Sequence, residues 1–361
     1  MEFTKRLAAL RERMRREKLG AFASLHLPNL RYLTGFTGSA GLLLVQAEEA
    51  HFYTDGRYRE QARLEVRGAQ VHITGNAGLY AAAAHRLGRV RRIGVEAPNL
   101  TLAAASALGG KEWKNRLLPT TGWIEQQRAR KTPDEIARLR RAAQLASGIW
   151  LRLLKEIQPG KSERAVAARI EFELRRAGGD GCSFEPIVAA GARGALPHAR
   201  ASAQALRRGD LVVLDYGVWR EGYASDMTRT VAVGRPSARA REVYRAVLEA
   251  QLAAIAAVRP GVSAPAVDAA ARRVLRKHKL LRYFVHSTGH GVGLEIHENP
   301  RLGQWTRRDQ PPPVLETGNV ITIEPGVYLP GWGGVRIEDM VHVTDGGAEI
   351  LTPTPKELLE L

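Results

Sequence analysis

At 361 residues, with hydrophobic and charged fractions of 44% and 25%, the chain has an ordinary globular composition and is long enough for two domains with separate cores. No apolar run approaches the ~18 residues of a membrane span, and the charged start MEFTKRL lacks a signal-peptide core, so a non-membrane, cytoplasmic protein is expected. The single cysteine, Cys182, excludes an internal disulfide and agrees with a reducing compartment. The net charge of +17 raises nucleic-acid binding as a reading, but the arginines are spread along amphipathic segments such as RLRRAAQLASGIWLRLLKEI. With no run of five or more and no interleaved aromatics, the charge reads as a solvated surface, and specific nucleic-acid binding is not expected.

In chain order, the first residues predict a helix over 3–18 that ends at Gly20, followed by strands at 21–25, 41–46, 51–54, 69–73 and 92–96. Alternating strands and helices define an α/β domain over 1–125. Two stretches inside it, RYLTGFTGSAG and YTDGRYREQA, set glycine and polar residues between apolar strands, a pattern that fits turn chemistry as well as function.

A boundary falls at 122–132. Thr132-Pro133-Asp134-Glu135 is a capping box with proline at the first helical position. The helix it starts carries Ile136, Leu139, Ala143, Ala146, Ile149, Leu153 and Ile157 on one stripe and stops at Pro159-Gly160. Further helices are expected after Ser162, Ser237 and Ser263, each in an N-cap position. Strands are expected at 185–190, 211–218, 226–233, 319–329 and 334–343, so residues 132–361 form an α+β domain with a mainly antiparallel sheet.

The densest chemistry is FVHSTGHGVGLEIHEN, with His286, His290 and His297 among three glycines. Four acids accompany it in strand-like runs: Asp215 in LVVLDYGV, Asp226 in SDMTRTVAV, Glu324 in VITIEPGV and Glu338 in GVRIEDMV. A hairpin turn centred between Arg220 and Glu221 sets Asp215 opposite Asp226, and one centred on Gly331 sets Glu324 opposite Glu338. Opposed carboxylates lie close enough to repel unless a cation or proton sits between them. An oxygen-rich set with an imidazole favours manganese, iron or cobalt over sulfur-bound structural zinc, and two such ions bridged by carboxylates can hold a hydroxide.

The segments DYGVWREGYASDMTRT, HSTGHGVGLEIHENP, ITIEPGVY and GVRIEDM resemble the proline-specific pita-bread metallopeptidases, aminopeptidase P and prolidase. PIVAAGARGALPHA, RYLTGFTGS and TDGRY extend the likeness over nearly the whole chain. The resemblance implies an α/β creatinase-like domain followed by a pita-bread catalytic domain. It implies two divalent ions, manganese foremost with cobalt, zinc or iron as alternatives, held by Asp215, Asp226, His290, Glu324 and Glu338, with Asp226 and Glu338 bridging. His198, His286 and His297 match the family's active-site histidines, and none of the eight positions departs from the pattern.

The implied reaction is hydrolysis of an Xaa-Pro bond at a peptide N-terminus by a hydroxide held between the metals. Glu324 is expected as proton shuttle, with His297 and His198 donating to the developing oxyanion and His286 shaping the pocket. Arg336, which shares strand parity with Glu338, and Tyr223 are expected to orient ligand carboxylates. The preferred substrate is a longer peptide with proline second, hence an aminopeptidase, and the resemblance implies a homodimer; a dipeptidase closed by a loop or a basic residue is the alternative. Creatinase, which is metal-free, and methionine aminopeptidase, which lacks the N-terminal domain, fit less well. A non-catalytic nucleic-acid or protein-binding module on the same fold is the reading from another class.

Overall fold

The computed structural model describes residues 2–75, 78–307 and 309–361. It divides into two units, Met1–Arg128 and Ala129–Leu361. The first contains α1 (Glu2–Arg16), β1 (Ala21–Ser24), α2 (Leu27–Thr34), β2 (Leu42–Val45), β3 (Ala50–Asp55), α3 (Arg59–Glu65) and β4 (Gln70–Thr74). It continues with α4 (Gly78–Leu87), β5 (Ile93–Glu96), α5 (Leu102–Gly109), α6 (Trp113–Arg116) and β6 (Leu117–Thr120), and α7 (Trp123–Ala129) runs through the division. The six strands lie in the order β4-β3-β2-β1-β5-β6. β1, β2 and β3 pair antiparallel, while β3–β4, β1–β5 and β5–β6 are parallel. The core is the buried face of these strands, Ala21, Leu42, Leu44, Ile93 and Val95, packed on Leu87 and Leu108.

Each glycine-polar stretch contains a cap or turn. Arg31–Thr34 close α2, which Gly35 ends at φ +88 with its N–H on the Arg31 carbonyl. Asp55 caps the following turn by accepting from Arg57 N at 3.0 Å.

In the second unit the capping box forms: Glu135 Oε2 accepts from Thr132 N at 2.9 Å and Thr132 Oγ1 from Glu135 N at 3.4 Å. The predicted single helix is two, α8 (Pro133–Gly148) and α9 (Trp150–Leu154). Gly148 weakens the last turn of α8, and the Tyr216 hydroxyl takes the Ala146 carbonyl at 3.2 Å. Next come α10 (Glu163–Arg176), α11 (Ala238–Ala256) and α12 (Ala264–Lys277). Ser162 and Ser237 cap α10 and α11 through their hydroxyls; Ser263 makes no such bond, and α12 starts instead on a first-turn proline.

The strands of this unit are β7 (Gly181–Cys182), β8 (Ile187–Ala190), β9 (Leu211–Tyr216), β10 (Val218–Arg220), β11 (Tyr223–Ala224) and β12 (Met227–Ala232). They are followed by β13 (Gly289–Gly291), β14 (Glu298–Leu302), β15 (Val320–Ile323), β16 (Gly326–Leu329), β17 (Gly333–Arg336), β18 (Asp339–Thr344) and β19 (Gly347–Ile350). Every ladder between them is antiparallel. One core packs α11 and α12 on β15 and β18 through Val247, Val267, Ile321 and Val341; a second packs α8–α10 on β8, β9 and β12 through Leu153, Ile170, Leu214 and Val231.

One expected register is corrected and the other holds. Asp215 pairs with Thr228, not Asp226, because the turn is Glu221-Gly222, both left-handed at φ 51 and 76. That turn type matches the twist of the flanking strands. The resulting shift of two residues keeps side-chain parity, so Asp226 shares the face of Asp215 as a diagonal neighbour. In the second hairpin Ile323 pairs with Asp339 and Gly326 with Arg336, which leaves Glu324 and Glu338 facing across a gap between ladders.

Candidate active site

All five candidate ligands sit where strands begin, end or run through the middle of the unit. Asp215 is in the last turn of pleat of β9, Asp226 immediately precedes β12, and His290 is the central residue of β13. Glu324 immediately follows β15 and Glu338 immediately precedes β18. Glycines flank His290 because the backbone is crowded: a Cβ on Gly289 would lie 1.9 Å from the Thr322 carbonyl oxygen, and one on Gly291 2.2 Å from that of Asn299. Close approach, not turn chemistry, explains them.

Asp226, His290 and Glu338 are buried and each offers a ligand atom within 4.8 Å of the other two. His290 Nδ1 donates to the Gly291 carbonyl at 2.9 Å. Its Nε2 therefore carries the lone pair, and it faces Asp226 Oδ2 at 3.6 Å and Glu324 Oε1 at 3.5 Å. An acceptor pointed at two acceptors is repulsive without a cation or proton between them. Burial, then its neighbours, pushes His290 down to about 4, so the ring does not supply that proton near neutrality.

The carboxylates say the same. Burial first, then the charges of Glu338, Asp215 and Glu324, raises Asp226 well above the ordinary carboxylate range. Glu338 is raised by burial and by Glu324 and Asp215, and burial pushes Glu324 up to about 8. Asp215 Oδ1 is buried with no hydrogen-bond partner. Four acids, one lone-pair imidazole and an orphaned carboxylate oxygen fit divalent cations bound through oxygen and nitrogen.

Arg336 lies where parity predicted. Its Nη2 donates to Asp215 Oδ2 at 2.5 Å and its Nε to Thr228 Oγ1 at 3.1 Å. Burial opposes its charge, and the facing Tyr328, Asp215 and Glu324 outweigh that and hold it protonated. Thr228 in turn donates to Glu338 Oε2 at 2.7 Å. Thr228 and Tyr328 are site residues that sequence reasoning missed; Thr228 sits inside the acidic motif SDMTRT, and its parity with Asp226 was the available signal.

The three histidines are in different situations. His286 Nδ1 donates to the Ser287 carbonyl at 2.8 Å, so its Nε2 accepts from the Tyr328 hydroxyl at 2.8 Å, which itself accepts from Arg336 Nη1 at 2.7 Å. Both ring nitrogens are used, and burial lowers the ring to about 4. His297 is exposed and edge-on to His290 with ring centroids 4.4 Å apart; burial, Arg301 and His198 lower its pKa. His198 is exposed on the segment after β8, near enough for its charge to act on His286 and His297. The Tyr223 hydroxyl donates to Glu135 Oε1 at 2.9 Å and ties β11 to the start of α8.

A buried acid and imidazole centre among antiparallel strands, in a chain that also carries a mixed α/β unit, defines a metal-dependent hydrolase of the creatinase and pita-bread architecture. Residues 137–345 match the model of Metallopeptidase family M24, and residues 6–130 that of the Creatinase/Prolidase N-terminal domain. The chain belongs to metallopeptidase family M24. It is 39% identical to the Xaa-Pro dipeptidase of Pyrococcus furiosus over 92% of each chain. Among solved structures it is similar to an Xaa-Pro dipeptidase from Bacillus anthracis (38% identity, TM-score 0.94, covering 99% of this chain and 100% of that one). It is also similar to an X-Pro aminopeptidase from Thermotoga maritima (32% identity, TM-score 0.86, 97% and 100% covered).

Proposed function

We propose that the protein is a two-metal peptidase that hydrolyses the Xaa-Pro bond and prefers dipeptides. Asp215, Asp226, His290, Glu324 and Glu338 would hold the ions, and the oxygen-rich set favours manganese. When bound, the ions supply Lewis acidity toward the scissile carbonyl and lower the pKa of water to near neutrality. Glu324 moves the proton, from the attacking water to the departing proline nitrogen, through its carboxylate oxygens. His297 and His198 donate N–H bonds to the carbonyl oxygen as it gains charge, and His286, locked by Tyr328, forms pocket wall.

The preference for dipeptides rests on Arg301, and it departs from the aminopeptidase expected above. Arg301 is exposed on β14, four residues after His297, and makes no ion pair among the described residues. Its charge acts on His290, His297 and Glu324. A free guanidinium beside the site suits the terminal carboxylate that only a dipeptide presents next to the bond cut. Cleavage of an Xaa-Pro dipeptide and its Xaa-Pro amide, compared at saturating Mn²⁺, tests this. Wild type favours the free acid, and Arg301→Met raises KM for the acid about 10- to 100-fold, the worth of one charge-assisted hydrogen bond, while leaving KM for the amide unchanged. Equal cleavage of acid and amide by wild type supports instead the aminopeptidase reading, which the likeness to the Thermotoga maritima enzyme favours.

A further inference from the structure

Arg229, in the motif SDMTRT, has no part in the site described above, yet it is the largest fully buried side chain among the described residues, at 1% exposure. It alternates with Thr228 along β12 and so points away from the ligands. A guanidinium has five N–H donors, and each of the five here is used once. Nε donates to the Pro355 carbonyl at 2.8 Å; Nη1 to the carbonyls of Thr228 at 2.9 Å and Glu338 at 2.5 Å; Nη2 to Asp339 Oδ1 at 2.7 Å and the Thr354 carbonyl at 2.6 Å.

Those acceptors belong to three separate stretches of chain. Thr228 lies two residues from Asp226, the Glu338 carbonyl belongs to a ligand, and Thr354 and Pro355 belong to the C-terminal segment. That segment is itself fixed. Lys356 Nζ donates to Asp339 Oδ2 at 2.8 Å, the Tyr244 hydroxyl to the Lys356 carbonyl at 2.8 Å, and Leu361 N to the Ala232 carbonyl at 2.9 Å. Glu338 N also donates to the Thr228 carbonyl at 3.1 Å, so one carbonyl receives both the strand contact and the arginine.

We propose that Arg229 is a positioning residue for the metal centre: from the side of β12 away from the ligands it fixes the separation of β12 and β18, whose preceding residues are Asp226 and Glu338, using the C-terminal segment as its counter-anchor. The proposal rests on the reading of those two acids as ligands. Planar geometry and donor number make arginine irreplaceable in this role, because lysine offers three donors from a single point.

Arg229→Lys, Pro355→Gly and Glu338→Gln are compared with wild type by calorimetric titration of the metal-free proteins with Mn²⁺, by the visible spectrum of the Co²⁺ forms and by metal-free melting. Arg229→Lys weakens Mn²⁺ binding about 10- to 100-fold and alters the Co²⁺ spectrum, as loss of a group that orients ligands does. Pro355→Gly keeps every acceptor while loosening the counter-anchor, and weakens binding in the same direction by less; it carries the test if Arg229→Lys does not fold. A lowered melting temperature with wild-type Mn²⁺ affinity and Co²⁺ spectrum overturns the proposal, because a merely structural arginine gives that result. Weakened binding in Glu338→Gln with normal binding in the other two sinks the proposal alone. Unchanged binding in Glu338→Gln sinks the ligand reading, and this proposal with it.

Discussion

Glu96 in the first unit and Glu338 in the second are buried alike, at 4% and 2% exposure, and the chain treats them in opposite ways. Glu96 accepts from Ser24 Oγ at 2.9 Å, Leu25 N at 2.7 Å, His26 N at 2.9 Å and Asn29 Nδ2 at 2.7 Å, so its charge is solvated from within. Glu338 accepts from Thr228 Oγ1 and otherwise faces the acids whose charges raise its proton affinity. A buried carboxylate costs several kcal/mol unless it is paired or hydrogen-bonded. The first unit meets that cost with its own donors; on the proposed reading the second leaves it to a cation. The difference separates a carboxylate that builds the fold from one that the fold holds ready for a ligand.

The largest effect that could break this contrast comes from removing ligand acids. Asp226→Ala and Glu338→Ala each lose bound metal and turnover together. Several kcal/mol of charge stabilisation disappears with the ions, about 10³-fold or more in kcat. Metal content by elemental analysis and Xaa-Pro cleavage report the two losses. Retention of both metal and turnover in either variant would place that acid with Glu96.

A smaller effect is a pH dependence confined to the metal-free protein. Glu324 is raised to about 8 in the folded chain, chiefly by burial, and Asp226 and Glu338 move the same way. Unfolding returns each to the ordinary carboxylate range near 4. Between those limits the folded state holds more protons than the unfolded one, so stability falls as pH rises. Melting temperatures in a strong chelator should therefore decline from pH 5 to pH 8, and excess Mn²⁺ should flatten or reverse the trend. A chelated protein that grows more stable over that range would contradict the repulsion on which the metal reading rests.

Much of this was legible because parity survives small errors. The turn lies one residue later than the sequence suggests, since Glu221 adopts the left-handed conformation usually left to glycine, but a shift of two in pairing keeps Asp215 and Asp226 on one face. The second hairpin keeps the expected register because its centre, Gly331, is marked by composition. What stayed hidden depends on contacts distant in sequence. Thr228 reaches Glu338 across 110 residues, and Tyr328 reaches His286 across 42. The Tyr223 hydroxyl likewise reaches Glu135, 88 residues earlier, a bond that its place in GYASD does not announce. In RYLTGFTGS and TDGRY, Gly35 ends a helix and Asp55 caps a turn, so local chain geometry already asks for these residues.

The smallest expected effect tests the other half of the contrast. Glu96→Gln keeps the size and one carbonyl oxygen but removes the charge that four donors converge on, and its amide N–H₂ must point at groups that already donate. Loss of charge-assisted bonds with a donor left facing a donor costs about 1–3 kcal/mol. The metal-free and Mn²⁺-loaded proteins should both lose stability by this amount in denaturant unfolding, with Mn²⁺ affinity unchanged. Glu338→Gln should do the reverse, stabilising the metal-free protein by relieving repulsion among buried acids while Mn²⁺ binding weakens. If the two substitutions shifted metal-free stability in the same direction, burial alone would set the behaviour of both glutamates, and the distinction between solvated and waiting carboxylates would fail.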